Sequence, residues 1–264
     1  MRRIFSIGLC RWLKPENPMS EDVSKLRDYA GLWIALTEKR TVGGVGSTAQ
    51  DAIRAARIAW PKEHLRPAFV SEFSPHLLLP AWPLEPLRAL APELPIWLVG
   101  GAVRDLLLGG DPDDWDFTVQ GDAIQLARRV ADRFRGDFYP LDAERGIGRA
   151  IVTPPYGSQP VDLDFATIQG QGLEDDLCAR DFSVNAMAMS LDGQLIDPLG
   201  GQVDLERGQL SMVTPDALVH DPIRALRAVR LSNQLALTLS EETVRAVRRN
   251  AQALGSVPSE RVQT

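Results

Sequence analysis

Two aspartates, Asp114 and Asp116, stand two residues apart at the start of a strand-like segment, residues 114–119. Alternate side chains of a strand point to the same face, so both carboxylates would lie together. Such a pair repels itself unless it shares a cation, and carboxylate oxygens are ligands for Mg²⁺. The spacing is therefore compatible with a metal site. It is equally compatible with an acidic turn, residues 111–114, whose carboxylates merely face solvent.

A second candidate is the glycine pair Gly100-Gly101, which follows an apolar strand and precedes an amphipathic helical stretch. Adjacent glycines let the backbone approach a ligand closely, and their amides would lie at a helix N-terminus, where phosphate binds well. The pattern indicates a phosphate-binding turn. Taken alone, however, a Gly-Gly pair is more often only a turn.

Asp221 and Arg224 lie three residues apart, and are therefore neighbours on a helix. Cytosine and adenine each present an exocyclic amine donor beside a ring-nitrogen acceptor, which one carboxylate and one guanidinium complement. Uracil and guanine present the opposite order. The alternative is that Asp221 is a helix N-cap with Pro222 at the first helical position, and the two roles are compatible. Arg227 and Arg230 continue the helix, with phosphate contact or a structural role equally open.

The remaining composition limits the chemistry. All lysines lie at or before Lys62, which excludes a Walker-type or Schiff-base lysine later in the chain. The three histidines are isolated, and two cysteines make no disulfide framework, which favours a reducing cytoplasm. No stretch approaches the ~18 apolar residues that cross a bilayer. A net charge of −6 argues weakly against a nucleic-acid-coated protein but allows a local basic groove. Carboxylates, arginines and backbone amides are left to do the chemistry, and Asp162 and Asp164 are further carboxylates of lower rank.

Element patterns divide the chain into five predicted parts. Residues 25–75 are predicted to form a ββαβ module with an accessory role. Its strands lie at 32–36, 41–45 and 67–70, and its helix lies at 49–59 and is capped by Thr48. Residues 96–214 alternate strands and helices, as α/β or α+β domains do. The predicted parts are an N-terminal extension (1–24), the small module (25–75), a proline-rich surface linker (76–95), the main domain (96–214) and a helical neck (215–264).

Three ordered motifs then resemble a known family. They are similar to the motifs of class II tRNA nucleotidyltransferases and bacterial poly(A) polymerases. In chain order, the three motifs are residues 98–109 with Asp114-Trp115-Asp116, residues 180–188 and residues 221–230. The resemblance extends over about residues 96–261. It implies a nucleotidyltransferase-type mixed β-sheet with flanking helices, followed by a helical neck.

The resemblance also implies an activity and roles for residues. The expected reaction moves a nucleotide from CTP or ATP to a tRNA 3′ end and releases pyrophosphate. Alternatives are a poly(A) polymerase, an A-only adding enzyme or a catalytically weak nucleotide-binding remnant. The implied Mg²⁺ ligands and catalytic residues are Asp114 and Asp116, and the implied nucleotide-binding residues are Gly100, Gly101, Arg104, Arg180, Asp181, Asn185, Asp221, Arg224 and Arg227.

The sequence departs from the family pattern at three motif positions. Asp113 stands where a basic residue is usual, Ala179 replaces the first arginine of the ribose motif, and His220 replaces an acidic residue before Asp221. Residues 257–261 resemble the start of the next family motif, yet the sequence stops at Thr264. We therefore expect a head with part of its neck, without the body and tail that grip tRNA in relatives, as a fragment or a natural truncation.

Overall fold

The computed structural model describes residues 26–39, 41–72, 78–112, 114–155 and 159–256, apart from the side chains of residues 220, 255 and 256. The predicted extension, Asp113 and the motif-like segment 257–261 lie outside the described residues. The α-helices are α1 (Ala49–Ala59), α2 (Ala81–Leu90), α3 (Gly101–Leu107), α4 (Ala123–Phe134), α5 (Leu173–Cys178), α6 (Gly201–Arg207), α7 (Ala217–His220), α8 (Ile223–Leu235) and α9 (Glu241–Asn250). The strands are β1 (Trp33–Leu36), β2 (Val42–Gly46), β3 (Arg66–Val70), β4 (Leu78–Pro80), β5 (Ile96–Val99), β6 (Trp115–Val119), β7 (Asp137–Asp142), β8 (Ile147–Val152), β9 (Val161–Thr167), β10 (Ala188–Ser190), β11 (Leu195–Ile196), β12 (Gln209–Leu210) and β13 (Thr238–Leu239).

The N-terminal module is a four-stranded sheet in the order β2-β1-β3-β4, covered by α1. Its helix has the predicted bounds, and the predicted cap is confirmed, because the Thr48 side chain accepts a hydrogen bond from the Asp51 amide. The predicted β-hairpin and third strand are confirmed within one residue. The structure adds a fourth strand, β4, so the observed order is ββαββ.

The proline-rich segment is not the surface linker that the sequence predicts. Residues 78–90 form β4 and α2, and Leu84 and Leu87 are buried against the main core. Trp82 has non-helical φ and ψ, so α2 is kinked there, and Pro83 lies in the first turn after the kink, where a backbone amide has no intrahelical acceptor. Pro86 lies inside the helix. The linker interpretation was wrong because burial of the apolar face outweighs proline content here.

The main domain is built on a seven-stranded mixed sheet in the order β11-β10-β5-β6-β9-β8-β7. Its neighbouring strands pair antiparallel except β6 and β9, which are parallel. One face packs against α4 through Phe117 and Phe165, whose rings stack 5.2 Å apart, and Gly148 lets the helix approach β8. The predicted mixed sheet with flanking helices is confirmed. The opposite face carries the polar residues that alternate with these apolar ones.

After this sheet the described chain is mainly helical and contains α7, α8 and α9. A short parallel pair consists of β12, which precedes α7, and β13, which lies between α8 and α9. Leu218, Ala225 and Ala246 of these helices enter the main core. The module is tied to the main domain by an Arg66–Asp111 ion pair of 2.7 Å. Among the described residues, no helix is long and apolar enough to cross a membrane. The boundaries at residues 96 and 215 stay predictions.

Candidate active site

The carboxylate pair lies at the start of β6. Asp116 is in the strand, and Asp114 is exposed and immediately precedes it, so the prediction that both lie in the strand is correct for one of them. Burial is the main cause that raises the pKa of Asp116, and repulsion by Asp164 and Asp114 raises it further, while Arg180 and Arg149 lower it. Asp116 is thus a desolvated carboxylate beside two others.

Strand pairing brings a third carboxylate to the pair. Asp164 of β9 is the register partner of Asp116 of β6, so both side chains leave the same face of the sheet. Arg149 of β8 is the register partner of Asp164. Its Nε and Nη2 donate hydrogen bonds to the two carboxylate oxygens of Asp164 at 2.6 and 2.7 Å. Its Nη1 also binds Asp162. The two aspartates raise the pKa of Arg149.

Local sequence patterns do not indicate Arg149, and they predict Asp164 only as a carboxylate of lower rank. Alternation within residues 161–165 signals two carboxylates on one face, but not which strand they lie beside. The neighbour depends on the pairing of β6 with β9, which are separated by 41 residues of chain. Only the register of the two strands shows that Asp164 lies beside Asp116.

The glycine pair faces the carboxylates. Gly100 has φ +70° and ψ −137°, a conformation open in practice only to glycine, and it precedes α3. A Cβ added to Gly100 would lie 3.1 Å from Arg180 Nη1 and 3.6 Å from Asp116 Oδ2. The turn, the guanidinium and the carboxylate therefore meet at one point. Arg180 is held there by Asp176, 3.2 Å away, while its buried Nε has no hydrogen-bond partner among the described atoms.

A chain of four polar side chains runs behind this point; we call it the polar network, and it consists of Arg104, Asn185, Asp181 and Arg227. Arg104 Nη1 donates to Asn185 Oδ1 at 2.6 Å, and Asn185 Nδ2 donates to Asp181 Oδ1 at 3.3 Å. Asp181 Oδ2 forms an ion pair with Arg227 Nε at 2.8 Å. The first three residues are buried. The network joins α3, the turn after α5 and the helix α8.

Asp221 and Arg224 lie at the start of α8. Asp221 is extended, and its Oδ1 accepts a hydrogen bond from the Ile223 amide at 3.4 Å, so the capping alternative has structural support. Arg224 donates from Nη2 to the Ala179 carbonyl at 2.9 Å and from Nη1 to the Arg180 carbonyl at 3.1 Å. Arg224 thus anchors α8 to the segment that carries Arg180 and Asp181. Base contact by this pair stays a prediction.

The donor set fits a cation that the protein shares with a substrate. Among the described residues, no group of three or more His, Cys, Asp or Glu side chains is arranged to enclose a metal. Mg²⁺ is usually held by one or two carboxylates, with phosphate oxygens and water completing its shell. Asp116 suits this role, because within the described part of the chain no ion pair or hydrogen bond neutralises it, while Asp164 is held by Arg149.

Comparison with known proteins assigns the part of the chain that contains the sheet and the first two motifs to a family. Residues 96–211 match the family model described as the poly A polymerase head domain. These residues belong to that family. The resemblance inferred from the three motifs is confirmed, and members of this nucleotidyltransferase family normally use a divalent metal.

Relatives of the head domain include enzymes of two specificities. A CC-adding tRNA nucleotidyltransferase of Synechocystis is 46% identical over 169 residues, which are 63% of this chain and 39% of the relative. An A-adding tRNA nucleotidyltransferase of Deinococcus radiodurans is 45% identical over 154 residues, covering 58% of this chain and 34% of the relative.

A solved structure has a similar fold. The Thermotoga maritima CCA-adding enzyme in complex with tRNA matches with a TM-score of 0.60 and 31% identity, over 67% of this chain and 44% of that enzyme. This chain therefore spans less than half the length of each of these three relatives.

Proposed function

We propose that this chain transfers a nucleotide from CTP or ATP to the 3′ end of tRNA in the cytoplasm and releases pyrophosphate, with Mg²⁺ held by Asp114 and Asp116. The observation that carries the proposal is the meeting of Asp116, Arg180 and the Gly100 turn within about one side chain's reach. The CC-adding and A-adding relatives and the tRNA-bound neighbour support the substrate class.

The triphosphate would lie along the glycine turn. Gly100 has no side chain to occupy the space beside Arg180 and Asp116, and α3 begins there with amides that have no acceptor within the helix. Arg180 supplies a positive charge on one side of this space. These groups orient the triphosphate so that pyrophosphate can leave from the α-phosphorus, and the divalent cation would offset the charge that develops.

The acceptor is the terminal 3′-hydroxyl of the RNA. Its oxygen forms the new bond to the α-phosphorus, the bond from that phosphorus to the bridging oxygen of pyrophosphate breaks, and the hydroxyl proton is lost to solvent or to a nearby carboxylate. Asp181 follows Arg180 directly in the chain, and by the family resemblance Asp181 and Asn185 would hold the ribose. Asp221 and Arg224 would face the base and favour C and A.

The decisive assay supplies the full chain with Mg²⁺, labelled CTP or ATP, and tRNA that lacks its terminal nucleotides. We expect extension of the RNA by the wild-type chain and none by Asp116→Asn. Asp132→Asn, which changes an exposed carboxylate on α4, on the opposite side of the sheet, is the matched control and should extend as the wild type does. If the wild-type chain extends no RNA with either nucleotide, the proposed activity is wrong for this chain.

A-only addition and poly(A) synthesis are the second candidates, since an A-adding enzyme matches nearly as well as a CC-adding one. Two acceptors separate the readings: tRNA ending before the first C, and tRNA ending in CC. Incorporation of CTP on the first acceptor identifies C addition, whereas AMP addition on the second only identifies an A-adding enzyme. Long adenylate products on an unrelated RNA identify a poly(A) polymerase. Nucleotide binding without incorporation in any arm identifies a non-catalytic remnant.

A further inference from the structure

The open face of the sheet carries a row of side chains that leads away from the carboxylates. In β6, β9, β8 and β7, successive register partners are Asp116, Asp164, Arg149 and Tyr139. Directly paired residues on neighbouring strands project from the same face, so the four side chains form one line across the sheet. The line begins at the proposed metal site and ends on the edge strand.

Tyr139 differs from the other aromatic residue of its strand. Phe138 projects to the opposite face, where it is covered by α4 and lies 4.4 Å beneath the Arg128 guanidinium. Tyr139 is 50% exposed, although it borders a domain core that buries most of its large apolar side chains. An aromatic ring that remains half exposed on a continuous sheet face has a planar surface available for stacking.

The chemistry of the transfer fixes which side of Asp116 the acceptor occupies. The glycine turn follows β5, on one side of β6, and the triphosphate and departing pyrophosphate would lie there. In-line displacement requires the attacking hydroxyl to approach from the side opposite the leaving group. In the sheet, β9, β8 and β7 lie on the side of β6 that is opposite β5. Acceptor RNA must therefore pass over the row to reach the metal site.

We infer that Tyr139 is a stacking platform for a base just upstream of the reacting 3′ end of the acceptor RNA. Tyr139 lies three strand spacings from Asp116, roughly 14 Å, which leaves room for the terminal nucleotide between them. Arg149 is already paired with Asp162 and Asp164, so the ring, rather than a phosphate contact by this arginine, supplies the attraction. Stacking suits this task because every base offers an aromatic face. The inference rests on the proposed function.

The test uses the full chain and a tRNA acceptor-stem hairpin with a single-stranded 3′ end that carries 2-aminopurine one nucleotide before the terminal residue. Anisotropy of an end label measures binding, and fluorescence of 2-aminopurine measures stacking. We expect the wild type and Tyr139→Phe to quench 2-aminopurine. We expect Tyr139→Ala to bind at least about fivefold more weakly and to lose the quenching. Trp60→Ala, which removes a similarly exposed aromatic residue of the module, is the matched control and should behave as the wild type does.

Extension kinetics distinguish failure of this inference from failure of the proposed function. Tyr139→Ala should raise KM for the hairpin at least about fivefold and leave KM for the nucleotide unchanged, with an unchanged melting temperature as the check on folding. Equal RNA binding, quenching and KM in Tyr139→Ala and wild type would overturn the platform while the transferase activity stands. A wild-type chain that neither binds nor extends the hairpin would overturn both.

Discussion

Two charged regions of the head domain are built in opposite ways. In the polar network every charged side chain meets a partner within the protein, from Arg104 through Asn185 and Asp181 to Arg227. At the carboxylate pair, Asp116 is partly buried beside two other negative charges, and within the described residues no guanidinium binds it directly. Arg180 and Arg149 act on it only through space.

The difference separates positioning from binding. A buried charge with a protein partner is fixed in place, and losing the partner costs stability. A buried carboxylate without one raises the free energy of the fold, and an added cation can recover that cost. Substitution should therefore affect activity far more than stability at the carboxylate pair, and stability at least as strongly as activity in the network.

The largest expected effect is that of Asp116→Asn on activity. Loss of a metal ligand that offsets charge in the transition state should lower kcat/KM about a thousandfold or more. The melting temperature should stay the same or rise, since the raised pKa means that the ionised carboxylate destabilises the fold at neutral pH, and asparagine carries no charge. Steady-state extension kinetics and thermal unfolding measure the two quantities.

Added Mg²⁺ sharpens this first comparison. It should raise the melting temperature of the wild type in a concentration-dependent way and leave that of Asp116→Asn unchanged. A large loss of stability in Asp116→Asn, with no difference in the response to Mg²⁺, would mean that Asp116 is a structural residue like those of the network.

The next largest effect is that of Arg104→Met on stability. The side chain is 8% exposed, and its removal takes away one charged donor to Asn185 Oδ1 and one to Asp105. We expect the free energy of unfolding to fall by about 2 kcal/mol in urea titrations. Arg54→Met, at a side chain that is 79% exposed, is the matched control with a change near zero. Equal stability of the two variants would contradict a fixed network.

Arg227→Ala tests the far end of the network with a smaller change. Asp181 is only 6% exposed at its side chain, but Arg227 is half exposed, so solvent replaces part of the lost interaction. The free energy of unfolding should fall by about 1 kcal/mol. Arg227→Lys should recover part of this loss, whereas Arg248→Ala on α9 should show none. An unchanged free energy of unfolding in Arg227→Ala would show that the polar network does not hold α8 in place.

Local patterns in the sequence were sufficient wherever the structure depends on neighbouring residues. Thr48 before an amphipathic run fixed the start of α1, and the glycine pair marked the turn into α3, because caps and tight turns are decided within a few residues. The three motifs also gave the family and the mixed sheet. Roles for the individual site residues stay proposals.

Features that depend on distant pairing could not be read in the same way. The sequence predicts Asp164 only as a further carboxylate of lower rank, because the register of β9 against β6 has no local signature. The partners of Arg149 and the ion pair between Asp181 and Arg227 have the same origin. Proline content misled for a related reason: the burial of Leu84 and Leu87 depends on the core that α2 meets, which no local window contains.

The smallest expected effect is that of Asp162→Asn, and its comparison with Asp164→Asn separates the two aspartates that share Arg149. Asp162 makes one contact with the guanidinium and is 36% exposed at its side chain, so Asp162→Asn should cost about 0.5 kcal/mol or less and leave activity within about twofold. Asp164 makes two contacts and faces Asp116, so Asp164→Asn should lower activity about tenfold or more, since it releases Arg149 and changes the charge beside the metal site. Extension kinetics on the pair decide the point. Equal activity of the two variants would show that register with Asp116 confers nothing, and that the carboxylate pair works independently of the rest of the row.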